Sequence, residues 1–326
     1  MDQTKARGAG LATAPTIGGE RKTAMMKEGC WFCGGPNTGS ERSAEDYWPR
    51  WLWPHPKFVE TAKKSSMTGF EPRVAMMPGE DVVIITQGMR RAGRSRINDK
   101  APGFCRRCNN GWMSGIQDYA RNHLGHAFFA EQGALDRDQQ AALARWVTMT
   151  AMVIDTHQGE TPLVPVNDRK FFGASHVMPN GTSILVGRFA GSIDNARCWK
   201  GGAAGLKDGR WLEGWGSSIL AVGDLFVVAA FGGRFPLALS THLEAMGLQW
   251  IYPRTFASID LDQRPALQDG ALDHIGHCFH LWSHSVLPDF KGDLGALIAA
   301  VPAPAVGSFE AGGGQSAEDG ANPHPA

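Results

Sequence analysis

Two Cys-x-x-Cys pairs, Cys30-Trp31-Phe32-Cys33 and Cys105-Arg106-Arg107-Cys108, carry the clearest chemical spacing in this chain of 326 residues. A separation of two residues sets a pair of thiolates about one tetrahedron edge apart, and the turn between them aims backbone N–H groups at the sulfurs. Two such pairs can therefore close a four-cysteine site for one structural zinc ion. Gly34-Gly35, directly after the first pair, supplies the turn freedom this needs. The 71 residues between Cys33 and Cys105 exceed the usual zinc-ribbon spacing. The same thiols thus also admit two unrelated reduced pairs or a redox dithiol, and sulfur ligands alone do not exclude iron. No βαβ pattern surrounds either pair, which counts against the redox reading. Six cysteines are too few for a disulfide-dense secreted scaffold, and Cys198 and Cys278 stand apart as expected buried thiols.

Around the cysteines, three segments in this order resemble a bacterial and phage group of HNH-type endonucleases. They are Cys30-Trp31-Phe32-Cys33-Gly34, then Ser43-Ala44-Glu45-Asp46-Tyr47-Trp48-Pro49-Arg50-Trp51-Leu52, then Cys105-Arg106-Arg107-Cys108-Asn109-Asn110-Gly111-Trp112-Met113-Ser114. In that group the middle segment looks like Ser-x-Glu-His-Val-x-Pro-x-Trp-Leu and the last like Cys-x-x-Cys-Asn-x-Gly-Trp-Met-Ser. The resemblance implies a zinc-stapled ββα-metal fold in which a catalytic divalent cation, Mg²⁺ or Mn²⁺, lies between a hairpin and a helix and hydrolyses phosphodiester bonds in DNA. Such a cation takes oxygen ligands and neutralises charge on the leaving oxygen. By resemblance, Glu45 and Asn109, with Asn110 as a further candidate, are its ligands. The residue after the acid is Asp46 where the group usually has the His that serves as base. Three readings stay open: Asp46 acts as base or extra ligand, His55 substitutes, or the chain is a catalytically inactive nucleic-acid-binding or interaction protein.

Other residues suit the same chemistry. Trp48, Trp51, Trp53 and Trp112 could stack on unpaired bases, but packing around the zinc accounts for them as well, above all for Trp51 and Trp112. Arg90, Arg91, Arg94 and Arg96 form the densest basic run and are the expected phosphate contacts. His274, His277, Cys278, His280 and His284 suggest a second metal site by helical spacing. The interleaved Leu272, Ile275, Phe279, Leu281 and Trp282 favour partly buried, hydrogen-bonded histidines instead. His123 and His126 close a helix and read as structural.

The elements that must position these residues suggest an α+β chain. Asp81-Val82-Val83-Ile84-Ile85-Thr86 reads as a strand, with the Arg-rich stretch through Ile97 as its return partner, and residues 109–124 read as a helix. A helix over 136–155, capped at Leu135-Asp136, connects the zinc-bearing block to a mainly β companion region, whose strands are expected near 182–187, 218–222 and 225–230. The chain divides into a disordered leader (1–24), an HNH-like nuclease domain (25–125), a companion domain (126–301) and a disordered tail (302–326). Residues 1–125 hold 19 Lys/Arg against 12 Asp/Glu, and residues 126–326 hold 13 against 20. A positive first block favours a polyanion partner. No apolar run approaches the roughly 20 residues that cross a bilayer, so a cytoplasmic location without membrane contact is the expectation.

Overall fold

Backbone pairing in the cysteine block joins two strands distant in sequence. The computed structural model describes residues 29–54, 68–69, 73–76, 82–91, 100–128, 133–156, 163–191, 197–207, 210–211, 215–233, 235–253, 256–285, 293–301 and 306–307. Strand β1 (Arg42–Asp46) pairs antiparallel with β5 (Lys100–Cys105), setting Arg42 opposite Cys105 and Glu45 opposite Ala101, with a register shift between Ser43 and Ala44. After Cys105 a short helical turn and a wide turn over Asn109–Met113 lead into helix α1 (Ser114–Phe128). Gly111, at φ −97° and ψ −114°, breaks the helical path between them.

The expected hairpin between the cysteine pairs does not form from the expected residues. The β-branched run beginning near Asp81 forms β4 (Val82–Arg91), which pairs with β3 (Arg73–Met76), β2 (Thr68–Gly69) and β8 (Arg197–Lys207). It thereby joins the large sheet rather than folding back on the Arg-rich stretch. The physical reason is partner length, since β8 offers a ten-residue antiparallel register to β4. The strand that does pair with β5, Arg-Ser-Ala-Glu-Asp, is polar and lacks the β-branched signature.

Among the described residues the large sheet has nine strands, in the order β12-β7-β11-β10-β8-β4-β2, with β3 and β9 paired at its side. Here β7 is Ser183–Arg188, β9 Arg210–Trp211, β10 Trp215–Val222, β11 Leu225–Phe231 and β12 Gln249–Tyr252. The central strands are apolar on both faces, as burial on both sides requires. In β11, Leu225, Val227, Ala229 and Phe231 enter one core while Phe226, Val228 and Ala230 enter the other. Helices cover both faces. Helix α2 (Arg137–Asp155) packs against β10, β11 and β12 and against α1, and the later helix over Ala271–Ser285 packs against β4, β8 and β10. An Asp136–Gln139 capping box starts α2, and most of its length from Ala142 is buried, which makes it the layer between cysteine block and sheet.

Two short pairings complete the described fold: β6 (Ala134–Asp136) with β13 (Ser258–Asp260), and β14 (Ala266–Leu267) with β15 (Val306–Gly307). The last falls within the segment read as a disordered tail, because a two-residue ladder uses backbone groups that composition does not reveal. The leader and the rest of the tail lie outside the described residues. Among those described, no helix is long and apolar enough to cross a membrane.

Candidate metal centre

The first cysteine pair sits on a tight backbone knuckle. Gly34 N–H donates to Cys30 O at 2.8 Å and Cys30 N–H donates to Gly35 O at 2.8 Å. Gly34 adopts φ +69°, a left-handed geometry that glycine accepts without strain. Trp31 N–H then donates to Gly103 O at 2.9 Å, anchoring the knuckle to β5 just before the second pair. Gly103, at φ +102°, lies beneath the Trp31 indole so closely that a Cβ there would collide with the ring.

These constraints converge the sulfurs of Cys30, Cys33, Cys105 and Cys108 to within 4.8 Å of one another. The Cys33 and Cys105 sulfurs are 3.6 Å apart. A tetrahedral zinc–thiolate centre with bonds of about 2.3 Å has edges of about 3.8 Å, so the four-cysteine group can hold one metal ion of that size. Gly35 N–H points at Cys33 Sγ and Cys108 N–H at Cys105 Sγ, each at 3.4 Å. Burial pushes the Cys30 and Cys108 thiols above the ordinary value. At Cys33 burial acts in the same direction but is outweighed by the Gly35 N–H and the neighbouring thiols, and the net shift is downward. Four thiols this close cannot all ionise without a cation among them.

Aromatic packing surrounds the knuckle. Phe32 meets Phe104 at 5.3 Å and the edge of Trp112 at 4.9 Å, and Trp112 also contacts Phe172 and stacks on His176. Trp51 lies 6.3 Å from Trp146 of α2, and Trp53 Nε1 donates to Trp48 O at 3.1 Å. All four tryptophans weighed as base-stacking residues thus belong to, or pack against, one core.

Beyond the cysteines, Glu45 turns inward from β1 and is only 7% exposed, with Gln117 of α1 donating to its Oε1. Burial pushes the Glu45 carboxyl up to about 7, against the Gln117 hydrogen bond, with Asp46 adding to the rise. Successive strand side chains alternate in direction. Asp46 accordingly faces away, accepting from Arg50 Nε at 3.0 Å and pairing with Lys100 Nζ at 3.4 Å. Asn109 spends its amide N–H groups on the strand, donating to Ser43 Oγ at 2.7 Å and Ala44 O at 3.3 Å. The structure therefore brings Glu45 and Asn109 to the same strand–helix junction and directs Asp46 to the other face. Arg90 and Arg91 end β4, opposite Trp199 and Cys198; their side chains, and Arg94, Arg96 and His55 entirely, lie outside the described residues, while Asn110 is exposed on the turn after Cys108.

Sequence reasoning missed Gln117, an isolated amide with no motif around it. It also missed a buried charge cluster behind the knuckle. Asp155, at the end of α2, accepts from Leu163 N–H and Val164 N–H at 2.9 Å and lies 3.5 Å from Arg169 and 3.9 Å from Lys200. The Arg169 guanidinium stands 4.6 Å over the Trp31 ring. Comparison with protein families, with curated proteins and with solved structures finds no match for this chain.

Proposed function

We propose that this chain is a metal-dependent, HNH-type endonuclease that hydrolyses phosphodiester bonds in DNA, with one structural zinc at Cys30, Cys33, Cys105 and Cys108. The observation that carries this reading is the enclosed carboxylate of Glu45, held between β1 and α1 in a strand–strand–helix unit closed by four cysteines. A hard cation at this junction, Mg²⁺ or Mn²⁺, would supply charge neutralisation at the scissile phosphate. Its available oxygen donors are the Glu45 carboxylate and the side-chain carbonyls of Asn109 and Gln117, a donor class that suits such a cation. Glu45 offers the charge, Gln117 orients it, and Asn109 fixes the strand against the start of the helix. Arg90, Arg91, Arg94 and Arg96 provide the phosphate contacts in this reading.

A second reading rests on Asp46. Its carboxylate is already engaged by Arg50 and Lys100 and is directed away from the Glu45 side of the strand. That favours a zinc-bearing nucleic-acid-binding or interaction protein without catalysis.

Nicking of supercoiled plasmid by the purified chain with Mg²⁺ or Mn²⁺ separates the two. Under the nuclease reading, wild type nicks, and Glu45→Ala and Asn109→Ala do not. Loss of nicking in Asp46→Ala as well would assign that carboxylate a part in the reaction. Folded, zinc-loaded wild type that leaves plasmid intact with either cation, while still retarding a DNA duplex, would establish the binding module instead.

A further inference from the structure

A second convergence of metal-binding side chains lies on the far side of the large sheet, away from the four cysteines. The helix over Leu237–Ala245 carries His242 in its last turn, and the helix over Ala271–Ser285 carries His274 and Cys278. His274 and Cys278 are four residues apart, so they share one helix face. Nε2 of His242 and Nε2 of His274 are 2.8 Å apart, and Cys278 Sγ lies 3.9 Å from the same His274 nitrogen. All three donor atoms fall within 4.8 Å of one another. Cys278 is fully buried and His274 nearly so, among Leu272, Ile275 and Phe279, while His242 is half-buried. Of the histidines expected to be partly buried and hydrogen-bonded rather than metal-bound, His274 is buried and hydrogen-bonds to His242. His277 and His280 stand 6.4 Å apart by ring centroid and outside this group, and the completing ligand comes from another helix.

We propose that His242, His274 and Cys278 form a three-ligand site for a borderline transition metal, with Zn²⁺ the reference ion. Bonds of about 2.0 Å to nitrogen and 2.3 Å to sulfur require N···N and N···S edges of about 3.3 and 3.6 Å. The observed 2.8 and 3.9 Å straddle these values, so shifts of about half an ångström bring these two edges to coordination geometry. In the present geometry one imidazole N–H donates to the other ring's lone pair, and a metal would take the place of that proton. Nitrogen and sulfur donors select zinc, cobalt or copper over magnesium or calcium. Three protein ligands leave a fourth position for water or a small ligand, the pattern of exchangeable rather than purely structural zinc. This inference stands apart from the nuclease reading.

Zinc per chain, measured by mass spectrometry on the full-length protein after Zn²⁺ loading and removal of free metal, tests it. Wild type should hold two zinc ions, and His242→Ala and Cys278→Ala should each hold one, with unchanged far-ultraviolet circular dichroism. His242→Ala alters a half-buried helix position where alanine suits the helix, so it keeps the test valid should Cys278→Ala misfold. A wild-type count of one, or a count in His242→Ala equal to that of wild type, would overturn the site.

Discussion

Replacing Glu45 with Gln should change how stability depends on pH by an amount set by that carboxyl's enclosure. Burial raises its value from 4.5 to about 7, and each unit corresponds to roughly 1.4 kcal/mol, so the effect is about 3 kcal/mol. The folded state holds this proton more tightly than the unfolded chain does. Its contribution is therefore fully present below pH 4.5 and is lost progressively as pH rises to about 7. Gln carries no charge and can accept the same hydrogen bond from Gln117, so the variant lacks this slope without losing the contact. The unfolding free energy of wild type minus that of Glu45→Gln should fall by about 3 kcal/mol across this range and level off above it. Urea titrations followed by tryptophan fluorescence, at fixed zinc and without magnesium, measure that difference. Titration of the cysteine ligands is common to both proteins and cancels. Parallel stability curves from acid to neutral pH would refute the enclosure argument. At pH 8, added Mg²⁺ should stabilise wild type more than the variant if Glu45 meets the cation.

Three further perturbations probe the scaffold. Cys105→Ser should release the zinc and unfold the first block, because structural zinc contributes roughly 10 kcal/mol or more in small metal sites, comparable to a whole domain's stability; zinc content and tryptophan fluorescence check this, and unchanged values would sink the assignment. Gly103→Ala should cost about 2–4 kcal/mol by combining a left-handed backbone with a collision against Trp31; zinc release to a chelator should quicken accordingly. Asp155→Ala should cost about 3–5 kcal/mol, since it leaves Arg169 and Lys200 buried without their carboxylate. Thermal unfolding of that variant reads the loss, and a midpoint equal to wild type would contradict the coupling.

Some of this molecule was legible from residue types and some was not. The helix over 136–155 is legible because a capping Asp136 precedes a periodic apolar run, and it forms as Arg137–Asp155 behind that cap. The strands expected at 182–187, 218–222 and 225–230 form as Ser183–Arg188, Trp215–Val222 and Leu225–Phe231, legible because both faces are apolar, with the start of the middle one hidden by its Trp-Gly-Ser residues. The four cysteines were found by spacing, and they converge. What escaped depends on contacts between distant segments. β1 is a polar pentapeptide whose strand state comes from pairing with β5, and β4 looked like half of a local hairpin because nothing in its own residues names β8 as partner. Gln117 and His242 are single polar residues whose roles arise only when another element approaches.

The buried charges explain why the cysteine block and the sheet need not be thought of as separate bodies. Arg169 reaches the Trp31 ring of the first knuckle on one side and Asp155 of α2 on the other, and Lys200 of β8 donates to Asp155 O at 3.0 Å. Burial pulls Arg169 below the ordinary guanidinium value, and the Asp155 charge opposes that shift. A lone cation there would be costly, so each part of the network is stable only with the others in place. Metal loss at the cysteines should consequently loosen Trp31 and, through Arg169, the end of α2 and the Lys200 strand. Hydrogen exchange after chelation would then show lost protection at Leu163 and Val164, whose amides bind Asp155, as well as around Cys30. Protection lost at the knuckle alone would mean that the charge network holds the sheet side together without the metal.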